Sequence, residues 1–144
     1  MKKTLCMLCV LVLMLSACSE QARISTQQEQ NYTQGLYKLT IKRQKLSNHC
    51  VGNDWSFSYT CDGKPIKSGD IITCPLDVFK FQSIQIEICE DDKIPDIATG
   101  QVVFGLADGG EGSTEITVIE AGGNYAGNTA VWKITCTVKL VGKQ

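Results

Sequence analysis

Apolar side chains recur at every second position through most of this chain, and that period leaves little choice of fold. The cleanest run is Trp132, Ile134, Cys136, Val138 and Leu140, interleaved with Lys133, Thr135, Thr137 and Lys139. A period of two is that of a strand with one buried face. The same pattern predicts a strand over 36–46 (Tyr37, Leu39, Ile41), another over Trp55, Phe57, Tyr59 and Cys61, and a third over 83–89 (Ile84, Ile86, Ile88). Asp62-Gly63 is a tight hairpin signal, with Lys64 to Lys67 returning. Ile71 to Cys74, 100–105 and 114–120 complete the series. Eight short strands separated by glycine, proline and asparagine predict an all-β chain, an antiparallel β-sandwich of about eight strands.

The first residues follow a different rule. Lys2 and Lys3 precede an apolar run from Leu5 to Leu15, and Leu15-Ser16-Ala17-Cys18 follows. A positive start, a short apolar stretch and small residues before a cut read as an export signal. The run is shorter than the roughly 20 residues that span a bilayer. Leu15-Ser16-Ala17-Cys18 resembles the lipobox of bacterial lipoproteins. That resemblance implies a signal peptide over 1–17, a lipid such as palmitate on Cys18, and a bacterial cell-membrane or outer-membrane location facing the periplasm or the exterior. Residues 18–34 are polar and glutamine-rich, as expected of a tether, and leave 35–144 as the one folded domain. The signal removes two of the 14 basic residues, so 12 face 15 acidic ones in what remains. With no basic run, nucleic acid is not an expected partner.

The acidic charge is not spread evenly. Glu90, Asp91, Asp92 and Asp96 fall within seven residues. Like charges so close are either simply solvated or held together by a hard cation, since calcium takes six to eight oxygen ligands. If successive strands alternate direction, the connections at 47–54, 68–70, 90–99 and 121–129 share one end of the sandwich. That end would gather Asn48, Asn53, Asp54, Asp70, Glu120, Asn124 and Asn128 with the acidic turn. The other end would hold Asp62, Lys64, Asp77, Lys80, Asp108 and Glu111.

Two of these segments carry a resemblance. Ile86-Glu87-Ile88-Cys89-Glu90-Asp91-Asp92-Lys93-Ile94-Pro95-Asp96 with Gly100, and Gly52-Asn53-Asp54-Trp55-Ser56-Phe57, are similar in layout to calcium-binding loops of the C-two domain of the synaptotagmin and protein kinase C kind. The resemblance implies an eight-stranded sandwich with calcium as cofactor and Asp54, Glu90, Asp92 and Asp96 as ligands. Glu90 stands where that family usually has aspartate, no proline follows Asp54, and one first-loop carboxylate is missing. Fewer charged ligands imply weaker calcium binding, in the millimolar range of extracellular modules.

Catalytic constellations are scarce. His49 is the only histidine, and it neighbours Cys50 in sequence, which rarely lets the two side chains meet. G-x-S-x-G is absent, and the glycines between Gly105 and Gly127 form no phosphate-cradling motif. Trp55 and Trp132 fall on inward strand faces and read as core rather than as sugar-stacking platforms. Five cysteines lie in the expected domain, with no C-x-x-C among them. In an exported protein even pairing is expected, so at least one of the five is free. Strand parity puts Cys50 and Cys89 near the acidic end and Cys61 and Cys74 near the other, so the expectation is either disulfides within those pairs or, in an anaerobic host, five reduced thiols. Tyr125, at the tip of the last long loop, is either a contact residue or an ordinary exposed tyrosine.

Two function classes follow, and neither is an enzyme. One is a membrane-anchored, non-catalytic envelope lipoprotein whose acidic end loops hold calcium or another surface ligand. The other is a metal-free structural or inhibitory module that meets an envelope protein through a strand edge or face.

Overall fold

The computed structural model describes residues 33–76, 81–92, 94–106 and 109–144. Eight strands run in order: β1 (Gln34–Asn48), β2 (Trp55–Cys61), β3 (Lys64–Pro65), β4 (Ile71–Pro75), β5 (Phe81–Glu90), β6 (Asp96–Gly105), β7 (Glu111–Ile119) and β8 (Thr129–Lys143). A short 3-10 turn, Gly123–Tyr125, precedes β8. The strands form two antiparallel four-stranded sheets, ordered β4-β1-β8-β7 and β3-β2-β5-β6. The chain is the all-β sandwich that the alternation predicts.

Alternation fixes the inward faces. Tyr37 and Leu39 on β1, Ile84, Ile86 and Ile88 on β5, Val102 and Phe104 on β6, and Ile134, Cys136 and Val138 on β8 bury together as one core. Trp55, Phe57, Tyr59 and Trp132 pack against it while remaining part-exposed. The Asp62-Gly63 turn has φ of 50° and 73°, the doubly positive pattern of a type I′ hairpin turn.

The strand ends differ from the expected ones in ways that matter. β1 and β8 pair from Gly35↔Lys143 to Asn48↔Ala130, so their mutual ladder carries both past the last apolar residue. β3 stops at Pro65 rather than Lys67, because the chain turns off there into a loop closed by Lys67 N–H on Asp70 Oδ2 (2.9 Å). β6 begins at Asp96 rather than at Gly100, paired from its first residue with Glu90.

These lengths decide the shape of the two seams between the sheets. Along one, β6 and β7 approach closely; at Gly112 any Cβ would overlap the backbone oxygen of Val103. On the other side β4 covers only Gln34–Lys38 of β1, and β3 covers only Thr60 and Cys61 of β2. No comparable approach joins β1 to β2 among the described residues. The sandwich is closed on one side and open on the other.

Candidate functional site

One end of the sandwich gathers three connections. β2 begins opposite the end of β5 (Trp55↔Glu90), β5 ends opposite the start of β6 (Glu90↔Asp96), and β1 ends opposite the start of β8 (Asn48↔Ala130). Loops 49–54, 91–95 and 120–128 therefore meet there, as parity predicts. The 68–70 turn does not join them. β4 is short and its first residue pairs with Lys38, so Asp70 sits midway along β1, its carbonyl accepting from Leu39 N–H (2.9 Å). Of the residues expected at the opposite end, Asp77, Lys80 and Asp108 lie outside the described residues, and so does Cys18.

Two of the four expected calcium ligands are strand residues. Counting by twos from Ile84, Ile86 and Ile88 puts Glu90 on the same inward face, and the ladder sets Asp96 directly across from it. Glu90 is 1% exposed and Asp96 2% exposed. Opposed residues on one face of an antiparallel pair have Cβ atoms about 4.5–5.5 Å apart, where like charges repel. Asp96 Oδ1 accepts from Ala121 N–H (2.9 Å), which ties β6 to the β7–β8 loop. Glu90 Oε2 and Asp96 Oδ2 are both buried without a hydrogen-bond partner among the described residues. A buried polar group without a partner is costly, and a buried charge more so.

The other two expected ligands play different parts. Asp92 is exposed, and its Oδ1 accepts from Ile94 N–H (2.7 Å), closing the β5–β6 turn. Asp54 is exposed; its backbone carbonyl accepts from Asp91 N–H (2.7 Å). Asn48 also serves the loop rather than a ligand. Its Oδ1 accepts from Val51 N–H (3.0 Å) and its amide donates to Gly52 carbonyl, as Trp55 Nε1 does (both 3.2 Å). The clamp brings Gly52 against Glu90 so closely that any Cβ at residue 52 would overlap Glu90 Oε1. A side chain at residue 52 would have to displace the Glu90 carboxylate from its buried position.

Electrostatics follow the burial. Desolvation pushes the Glu90 carboxyl above its ordinary value, and the charges of Asp92 and Asp96 push it further. Hydrogen bonds from the Asp92 and Asp54 backbones oppose the shift. Glu120 belongs to the same group: desolvation and then Asp96, Asp92 and Glu90 raise its carboxyl. It was visible in the sequence only as an end-loop acid, since its orientation depends on the β7–β8 loop folding back onto β6. Among the described residues no three His, Cys, Asp or Glu side chains are gathered to hold a metal ion by themselves. A cation here would rest on the Glu90–Asp96 pair, with backbone carbonyls and water completing its shell.

Of the described cysteines only Cys89 adjoins this pair, its thiol donating to the Glu90 carbonyl (3.6 Å). All five described cysteines are free thiols. Cys61 and Cys74 share one amide instead of bonding to each other: Gln82 Nε2 donates to Cys61 Sγ (3.0 Å) and Cys74 Sγ donates to Gln82 Oε1 (3.9 Å). Burial pushes Cys74 and Cys136 up to about 11 and raises Cys61. A protonated, buried thiol is a poor nucleophile. Cys89 Sγ donates to Asp91 Oδ1 (3.1 Å), whose hydrogen bond raises that thiol too. Cys50 is exposed beside His49, whose backbone N–H donates to Thr129 carbonyl (2.9 Å). Tyr125 is exposed in the 3-10 turn. No protein-family model matches the chain, and neither does any curated protein or solved structure.

Proposed function

We propose that this chain is a non-catalytic binding protein of the bacterial cell envelope, anchored by a lipid on Cys18, whose acidic end takes up a divalent cation of the calcium kind. The observation that carries the reading is the Glu90–Asp96 pair, two inward carboxylates facing each other, each with an unpartnered oxygen. Backbone N–H groups compensate the two carboxylates only in part, and a hard cation that binds oxygen removes both the repulsion and the missing partners. Asp92 and Glu120 add negative potential around the pair. Calcium accommodates irregular oxygen shells of six to eight ligands, whereas magnesium demands a strict octahedron and gives up water reluctantly. A site with only two buried carboxylates favours the former.

The anchoring half of the proposal is supported by Lys2, Lys3, the apolar run and the Leu15-Ser16-Ala17-Cys18 ending. The whole is tested by thermal unfolding of the full chain at pH 7.5 in chelator, in calcium raised from about 1 to 100 mM and in equal magnesium. Calcium at about 100 times its dissociation constant should add roughly 2.7 kcal/mol, a rise of several degrees in the unfolding midpoint. Magnesium should give a smaller rise. Identical midpoints in chelator and calcium would remove the cation from the account.

A further inference from the structure

The open seam presents two free sheet edges on either side of an aromatic groove. On β1 the odd-numbered residues turn their backbone groups toward this edge: Leu39 N–H donates to Asp70 carbonyl (2.9 Å), Gly69 N–H to Leu39 carbonyl (2.8 Å), and Ile41 N–H to Ser68 Oγ (3.0 Å). The pattern then runs out. Arg43 and Lys45 have no backbone partner on that edge among the described residues. Across the seam, β2 is likewise unpaired on its outer edge from Trp55 to Ser58. Between them lies a groove of about 440 Å³ lined by Ile41, Arg43, Phe57, Tyr59, Ile66 and Lys67 among others.

The groove combines half-buried rings with one sign of charge. Trp132 meets Trp55 and Phe57 edge-on, with ring centroids 5.4 and 4.9 Å apart. The Arg43 guanidinium lies 4.6 Å from the Phe57 centroid, and Lys45 Nζ lies 5.1 and 5.0 Å from those of Trp55 and Trp132. Lys67 at the groove rim adds one more positive charge. No carboxylate engages any of these cations among the described residues.

We propose that this seam receives an extended, acidic segment of a partner protein as an added strand on β1, beside Arg43 and Lys45. An added strand supplies the backbone partners that Arg43 and Lys45 lack, and its alternate side chains fall toward the groove. The side chains that fall toward the groove carry the carboxylates, which meet the guanidinium and ammonium groups held over the rings. Charge excludes a second copy on the same edge, because pairing β1 with itself would set Arg43 and Lys45 against their own copies on one face. Lysine on an edge guards it against unspecific pairing, yet a guard alone needs no groove of rings behind it. This inference is independent of the acidic end.

The test uses the full chain in neutral detergent and three end-blocked decapeptides: alternating valine and glutamate, alternating valine and lysine, and the glutamate peptide with every second amide N-methylated. Trp55 and Trp132 are the chain's only tryptophans; Trp132 packs on Phe57 of the groove wall and Lys45 lies over both, so their fluorescence reports occupancy. The glutamate peptide should titrate below about 1 mM, and the lysine and N-methylated peptides should bind at least about tenfold more weakly. Arg43→Glu and Lys45→Glu should each weaken the glutamate peptide by about tenfold or more. Backbone amide shifts should centre on residues 41–47. Absence of titration to about 1 mM, equal binding of the glutamate and lysine peptides, or shifts centred on β6 and β7 would overturn the proposal. So would β1-mediated self-association that blocks the peptide. The peptide comparison on the unaltered chain stands even where a variant fails to fold.

Discussion

Truncating Phe104 to alanine should cost about 3–5 kcal/mol of stability, a fall of about 10–20 °C in the unfolding midpoint for a domain of this size. Phe104 is 2% exposed and among the largest buried side chains of the described core. It sits on β6 where that strand meets β7, with its ring close to Gly110. The seam there is held by backbone contact at glycines, so neighbouring strands cannot move inward to fill the void. Incomplete collapse is what places a truncation at the upper end of the range. Ile97→Ala, one strand position from Asp96 but 60% exposed, should change stability by less than about 0.5 kcal/mol. Urea unfolding of both variants checks the pair. A Phe104→Ala cost below about 1.5 kcal/mol would mean that the closed seam relaxes in a way this packing does not allow.

The second large effect is expected at the acidic end, from Glu90→Gln. In chelator, the unaltered chain should lose stability as pH rises above 4.5, the ordinary value of a glutamate. The sign follows from the raised carboxyl. Between the unfolded and folded pKa values the unfolded chain ionises Glu90 while the folded chain resists, so the contribution present at low pH is lost as pH climbs through the folded value. An amide at residue 90 cannot ionise and can donate to Asp96. Glu90→Gln should therefore be more stable than the unaltered chain at pH 7.5 without cation, by about 1–3 kcal/mol for a hydrogen bond to a charged acceptor. It should also lose most of this pH dependence, Glu120 supplying what remains. Parallel denaturant titrations from pH 4.5 to 8 measure both. A variant less stable than the parent at pH 7.5 would show that Glu90 is already compensated within the fold.

How much of this was visible in the sequence can be traced to particular residues. Strand identity was legible wherever apolar and polar residues alternate, as over Trp132–Leu140 and Ile84–Ile88, because burial of one face imposes that period. Strand ends were not. Arg43 and Lys45 interrupt the apolar period and the expected strand ends at 46, yet β1 continues through Ser47 and Asn48 because β8 supplies ladder partners from the far end of the chain. The same blind spot hid the central feature of the site. Glu90 keeps the parity of Ile88, so extending the alternation by one step would have turned it inward. The pairing that sets Asp96 against it depends on β6 starting four residues before Gly100. Which edges stay open was also beyond local pattern, because it rests on how far β3 and β4 extend along their partners. Pro65 hinted that β3 would be short, since it has no N–H for a ladder.

Calorimetric titration of calcium into the full chain at pH 7.5 measures directly whether Glu90 and Asp96 together hold one cation. The account predicts one site per chain, with binding lost in Asp96→Asn while the fold is retained. Calcium heats that are absent from the unaltered chain, or that persist unchanged in Asp96→Asn, would contradict it.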